Sequence, residues 1–179
     1  MELVNINNSK DANYRYKIFH IQTKLTGSSN NQKGSLTYLT NIQEVTKQLN
    51  HNPKTLIKYL GICLGSKINE DKYWIQGHHS KEKIQKYIFD FINCFVLCPK
   101  CFVPELEYSL KVCKKKFNIK THCVGCGFDN ELDNIILSKN NKKIYDKIVK
   151  DIKDNYFSVK EQTSTLCVND SSNSEDDFF

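Results

Sequence analysis

Among its 26 basic residues this chain has a single arginine, Arg15; the others are lysines. Lysine replaces arginine without loss wherever a plain positive charge is enough, so the one guanidinium is a candidate for a position where it is not, the alternative being chance survival. Its planar fork of donors grips a phosphate or carboxylate in a way that a compact ammonium cannot. A second absence is apolar length. Mean hydropathy is −0.54, and no run approaches the roughly 20 apolar residues of a membrane helix, which excludes an integral helical membrane protein. The opening residues MELVNINNSKDA contain no apolar signal segment, so a cytoplasmic or nuclear setting is expected. There is no G-x-x-x-x-G-K-[ST] loop, the backbone cradle with which many enzymes hold nucleotide phosphates. No internal repeat is visible.

What is present is 179 residues, 39% of them apolar, enough for one ordinary domain or two small ones. Charge is unevenly placed. Residues 1–160 carry 26 basic and 15 acidic groups, whereas residues 161–179 carry five acids and no base. A basic body suits a polyanion such as nucleic acid, and an acidic tail suits a basic partner.

Residues 1–16 read as an irregular, flexible arm. Alternation from Ile18 to Leu25 has a period near two and predicts a strand, with SLTYLT at 35–40 as its return across a polar tip, GSSNNQK at 27–33. Asn41-Ile42-Gln43-Glu44 resembles an asparagine-led capping box opening a short helix that Pro53 terminates. The segment LIKYLGICLG is apolar enough for a buried strand or for a helix and turn, and YWIQG at 73–77 is another strand. Ser80 caps an amphipathic helix in which Ile84, Tyr87, Ile88, Phe91, Ile92 and Phe95 share one face. A last helix is expected within 138–160, and a disordered acidic tail over 161–179.

Eight cysteines without an export signal read as thiols or metal ligands. Cys98-Pro-Lys-Cys101 and Cys123-Val-Gly-Cys126 are two C-x2-C pairs with 21 residues between them. Two thiolates at that spacing on a tight turn face one ion, and two such knuckles complete a closed tetrahedral site for one structural Zn2+. A redox C-x-x-C would need a βαβ setting and only one pair. Cys63, Cys94 and Cys167 lack partners at ligand spacing, and Cys113 is the one thiol that can stand in for a ligand. The expected fold is therefore α+β: a small α/β lobe over 17–97 built from a hairpin and helices, a four-cysteine zinc ribbon over 98–137, and a C-terminal helix.

In order and spacing, Tyr14-Arg15-Tyr16-Lys17, the stretch Lys58 to Gly65, Tyr73 to Gly77, the stretch Phe95 to Cys101, the knuckle Cys123 to Gly127, and Leu132-Asp133 resemble the amino-terminal domain of the translation initiation factor five family. The resemblance covers roughly residues 11–137. It implies a GTPase activator for the gamma subunit of initiation factor two, with the gamma and beta subunits as partners, working on the GTP and initiator-tRNA ternary complex bound to the small ribosomal subunit. It further implies that Arg15 is the activating arginine, supplied in trans, that Lys33 and Lys58 support it, and that the chain is not itself an enzyme. The hairpin tip, with Lys24, Gly27, Asn30 and Lys33, is implied to face RNA in the decoding site. Ser28, Ser29 and Asn31 stand where the family is glycine-rich, which makes the backbone there less permissive. The family's helical-repeat carboxy-terminal domain has no counterpart here, and the acidic-aromatic end EDDFF is a candidate docking segment for other initiation factors.

Two readings compete. The beta subunit of initiation factor two shares the lobe and ribbon, but it carries a long lysine-rich amino-terminal extension, whereas YRYK lies near Met1 here. A zinc-ribbon transcription factor would use the basic surface on duplex DNA. The pair His78-His79 has no acid or nucleophile beside it in sequence and reads as a turn or capping element.

Overall fold

The computed structural model describes residues 2–27, 34–113 and 116–131, together with 143, 144, 146, 147 and 150. The hairpin tip at 28–33 and the tail at 161–179 lie outside the described residues.

The lobe is a four-stranded antiparallel sheet backed by helices. Strands β3 (Thr23–Thr26) and β4 (Leu36–Leu39) form the expected hairpin; β6 (Trp74–Gln76) pairs with β4, and β5 (Ile68–Asn69) lies at the edge. A two-stranded piece joins β1 (Leu3–Asn5) to β2 (Lys17–Phe19), and Ile6 is buried beside it. The segment expected as an arm over 1–16 is thus tied down near its start, because Leu3 and Val4 pair with Phe19 and Ile18.

Helix α1 (Ile42–Gln48) buries Ile42 and Val45, and α2 (Pro53–Leu64) begins with Pro53 in its first turn behind the cap Asn52. Proline at this position has the helical φ and loses no needed hydrogen bond. The LIKYLGICLG stretch is therefore helix, stopped by Gly65 in the left-handed conformation. Helix α3 (Lys81–Phe95) starts at Ser80, whose hydroxyl accepts the Lys83 N–H, and Ile84, Ile88, Phe91, Ile92 and Phe95 are fully buried along one face. This face supplies the centre of the core, where Phe91 packs against Phe95 and Tyr59.

The strand expected from Ile18 to Leu25 is interrupted. Ile18 and Ile21, three residues apart, are both fully buried, which a continuous strand with its two-residue period cannot arrange. The cause is Asn41. It occupies the N-cap position of α1 but makes no capping hydrogen bond. Instead its Oδ1 accepts the Gln22 N–H at 2.7 Å and its Nδ2 donates to the His20 carbonyl at 3.0 Å. Gln85 Oε1, from α3, accepts the Ile21 N–H at 2.9 Å. Two side-chain amides thus pair the His20 carbonyl and the Ile21 and Gln22 N–H groups, while the His20 N–H donates to the Glu2 carbonyl and the Gln22 carbonyl accepts the Thr40 N–H, and the backbone crosses from one sheet to the other. Asn41→Ala leaves backbone groups of this crossing unpaired and is expected to destabilise the protein by about 2 kcal/mol, measured by urea unfolding; a loss below about 0.5 kcal/mol would remove the role assigned to Asn41.

The ribbon follows α3 directly. Strands β7 (Leu106–Cys113), β8 (Lys116–Cys123) and β9 (Asp129–Glu131) form an antiparallel sheet. It is seated on the lobe through Tyr108, whose hydroxyl donates to the Phe95 carbonyl and whose ring meets His51; burial pushes the Tyr108 phenol up. Within the helix expected over 138–160, the described positions between 143 and 150 are helical, and Ile144 is fully buried. Among the described residues no helix is long and apolar enough to cross a membrane.

Candidate functional site

Cys98 and Cys101 lie on the turn after α3, and Cys123 and Cys126 on the turn after β8. The two turns have the same hydrogen-bond pattern. Cys98 N–H donates to Val103 O and Phe102 N–H to Cys98 O; in the second, Cys123 N–H donates to Phe128 O and Gly127 N–H to Cys123 O. Each knuckle thereby folds both its thiols to one side.

The four sulfurs all lie within 4.8 Å of one another, with Cys98 and Cys126 at 3.8 Å and Cys101 and Cys123 at 3.6 Å. An ion with metal–sulfur bonds of about 2.3 Å holds tetrahedral ligands about 3.8 Å apart. The thiols therefore fit one four-coordinate metal ion. Burial raises the Cys98 thiol, but the amides of Cys101 and Lys100 and the neighbouring thiols outweigh it and bring it to about 7, while burial pushes Cys123 up to about 12. The Lys100 N–H points at Cys98 Sγ from 3.4 Å, so Cys98 is the sulfur best prepared to meet a cation. Cys63 and Cys94 form no disulfide and lie outside the cluster. Cys113 pairs with Lys116 at the end of β7–β8 remote from the knuckles, where Leu106 pairs with Cys123. At about 3.3 Å per residue the strand separates the two ends by more than 20 Å, so Cys113 is no substitute ligand.

One feature of the knuckles is not legible in the sequence. Gly127 follows Cys126 with φ +68°, and the equivalent residue after Cys101 is Phe102, with φ +58° and 64% exposed. The turn requires a left-handed residue there, which for a residue with a Cβ costs roughly 1–2 kcal/mol. Phe102→Gly is expected to stabilise the metal-bound protein by about 1 kcal/mol in denaturant unfolding. No gain would mean that the ring makes compensating contacts.

Arg15 is exposed, between the half-buried Tyr14 and Tyr16. The two tyrosine rings meet edge-on at 5.9 Å, both pack against the core, and the Arg15 guanidinium carbon lies 5.4 Å from the Tyr16 ring centroid. A cation over a ring face is weakly attracted to it, so the tyrosines give the arginine a platform while leaving its donors open to a partner. Lys58 is half-buried on α2, and Lys24 is exposed on β3. Gly27 closes β3 with φ +97°, and a Cβ there would lie 2.7 Å from the Gly34 carbonyl oxygen, so this turn requires glycine. Asn30 and Lys33 lie outside the described residues. The His79 ring Nε2 faces the Gln76 carbonyl at 3.0 Å and the Ser66 hydroxyl at 3.2 Å, and the His79 N–H donates to Thr37 Oγ1. It closes a turn, as the sequence suggests.

An α/β lobe thus continues into a four-thiol ribbon, with an exposed arginine between two seated tyrosines. The family model for the domain found in initiation factors 2B and 5 matches residues 6–129, and the chain belongs to this family. It is 38% identical over 135 residues to "Eukaryotic translation initiation factor 5" of Mus musculus, covering 73% of this chain and 30% of that protein. For the proteins of the same name from Drosophila melanogaster and Caenorhabditis elegans the identities are 35% over 155 residues and 34% over 135, covering 84% and 73% of this chain and 31% and 29% of theirs. The matched region spans under a third of the length of each of these relatives.

Proposed function

We propose that this chain is a translation initiation factor that activates the GTPase of the gamma subunit of initiation factor two. It acts on the ternary complex with GTP and initiator tRNA on the small ribosomal subunit, and couples start-codon recognition to hydrolysis. The observation that carries the reading is Arg15: the only guanidinium in the chain, exposed, and carried between two tyrosines that pack on the core.

Phosphoryl transfer spreads negative charge over the equatorial oxygens of the transferred group, and an arginine offered in trans stabilises that charge at the moment it develops. Arg15 has the chemistry and the exposure for this; the nucleotide belongs to the partner. Lys58, and Lys33 in the hairpin loop, contribute point charges toward the same polyanion. Lys24, Gly27 and Asn30 belong to the RNA-facing hairpin, and the EDDFF end offers acids and aromatics to other initiation factors.

We assign the four-thiol site to one zinc ion held by Cys98, Cys101, Cys123 and Cys126. Four thiolates fill the coordination shell, so zinc supplies folding energy and no open position for water.

The deciding experiment is single-turnover GTP hydrolysis by a ribosome-bound ternary complex with and without the chain. Faster hydrolysis is expected. An unchanged rate would overturn the proposal; together with a stable complex with the gamma subunit it would point to the beta-subunit role, and together with duplex-DNA binding to a transcription factor.

A further inference from the structure

The segment bearing Arg15 is joined to the ribbon by one long-range hydrogen bond. The Tyr16 hydroxyl donates to Glu105 Oε1, from a residue 89 positions further along the chain. Glu105 in turn touches the second metal knuckle twice. Its carbonyl accepts the Val124 N–H at 3.0 Å, and its Oε2 lies so close over Gly125 that a Cβ there would be 2.9 Å away. Val124 and Gly125 are the two residues between Cys123 and Cys126. On the other side, the Tyr16 ring carries Arg15 5.4 Å from its centroid.

The rest of this segment is held within the lobe: β1 pairs with β2, the Ile6 N–H donates to the Tyr16 carbonyl at 3.0 Å, and Tyr14 and Tyr16 pack against the core. Asn5 Nδ2 reaches the carbonyls of Ser9 and Asp11, and Lys17 Nζ reaches that of Ala12. These contacts hold the segment to the lobe and none of them reaches the ribbon. A carboxylate rooted in the knuckle adds the tie to the ribbon.

We propose that Glu105 is a positioning residue: its hydrogen bond to Tyr16 ties the Arg15 segment to the second metal knuckle, so that an ordered ribbon sets the presentation of Arg15. The inference rests on the reading of Arg15 as the activating arginine. Its physical content is preorganisation. An arginine already held in place is not ordered at the moment of docking, and the entropy cost of inserting it is correspondingly smaller.

The test uses the zinc-loaded full chain. Trypsin cleavage after Arg15 reports how often the segment leaves the surface, since proteolysis tracks the open population when opening is fast. Tyr16→Phe keeps the ring and removes the hydroxyl; Glu105→Ala removes the acceptor; Glu105→Gln keeps an acceptor oxygen. Cleavage is expected to be about three- to tenfold faster in Tyr16→Phe and Glu105→Ala, and near wild type in Glu105→Gln. The double variant Tyr16→Phe/Glu105→Ala should be no faster than either single one, because both remove the same bond. The maximal stimulated rate of GTP hydrolysis should fall in parallel while zinc content is retained. Wild-type cleavage rates in both Tyr16→Phe and Glu105→Ala, or multiplying effects in the double variant, would overturn the tie. Should Glu105→Ala lose zinc, Tyr16→Phe and Glu105→Gln decide, since neither disturbs the knuckle. A wild-type chain that fails to stimulate hydrolysis sinks the Arg15 reading and leaves the cleavage rates to judge the tie alone.

Discussion

Replacing Arg15 by alanine is expected to abolish stimulation of GTP hydrolysis while binding to the ribosomal complex, fold and zinc content persist. An arginine supplied in trans accelerates hydrolysis by roughly 10³ to 10⁵ on other GTPases, so loss of even part of this effect is readily measured. The side chain is exposed and buries no apolar surface that folding needs, which is why stability should not change. Arg15→Lys should restore only a small fraction of the rate, because an ammonium keeps the charge but loses the planar fork that reaches two oxygens together. Single-turnover hydrolysis at saturating factor checks this, with unfolding midpoint and zinc content measured on the same preparations. Full stimulation by Arg15→Ala would return the residue to an ordinary surface role.

The second large effect is expected at the metal. Cys98→Ser or Cys126→Ser should release the one zinc per chain and unfold the ribbon, leaving the helical signature of the lobe in place. Among the described side chains of the ribbon's strands few are buried. Ile119, Thr121 and Cys123 are the buried positions on the described part of β8, so the ion does the work of a core. Structural zinc sites of this kind contribute on the order of 10 kcal/mol to folding at neutral pH. Chelation should reproduce the variants, and so should acid. Thiolates bind the ion and thiols do not, so protons compete with zinc for the four sulfurs and the ion is lost as pH falls into the acid range. Purified protein without zinc, or a serine variant that keeps both metal and ribbon, would refute the assignment.

How much of this is legible in the sequence depends on the range of each interaction. Helix α3 is readable because Ser80 caps it and its apolar residues recur at helical spacing. The two knuckles are readable because each C-x2-C pair is local, and their convergence is expected because one four-coordinate ion takes four thiolates. The helical state of LIKYLGICLG is not readable from periodicity, since apolar residues nearly fill the segment; the Asn52 cap, Pro53 in the first turn and the Gly65 stop identify it together. The break between β2 and β3 reads as a continuous strand because alternation reports local pattern, while the break is made by Asn41 and Gln85, 19 and 64 positions from the backbone groups they satisfy.

The sequence by itself therefore determined the α+β class, the four cysteines that cluster and the uniqueness of Arg15, all carried by residue identity and short spacings. Only the tertiary structure decided where the chain crosses between sheets, which residue takes the strained place after Cys101, and that Glu105 meets Tyr16. Those depend on side chains meeting backbone or side-chain groups far away in sequence, and a distant partner leaves no period, cap or motif at either position.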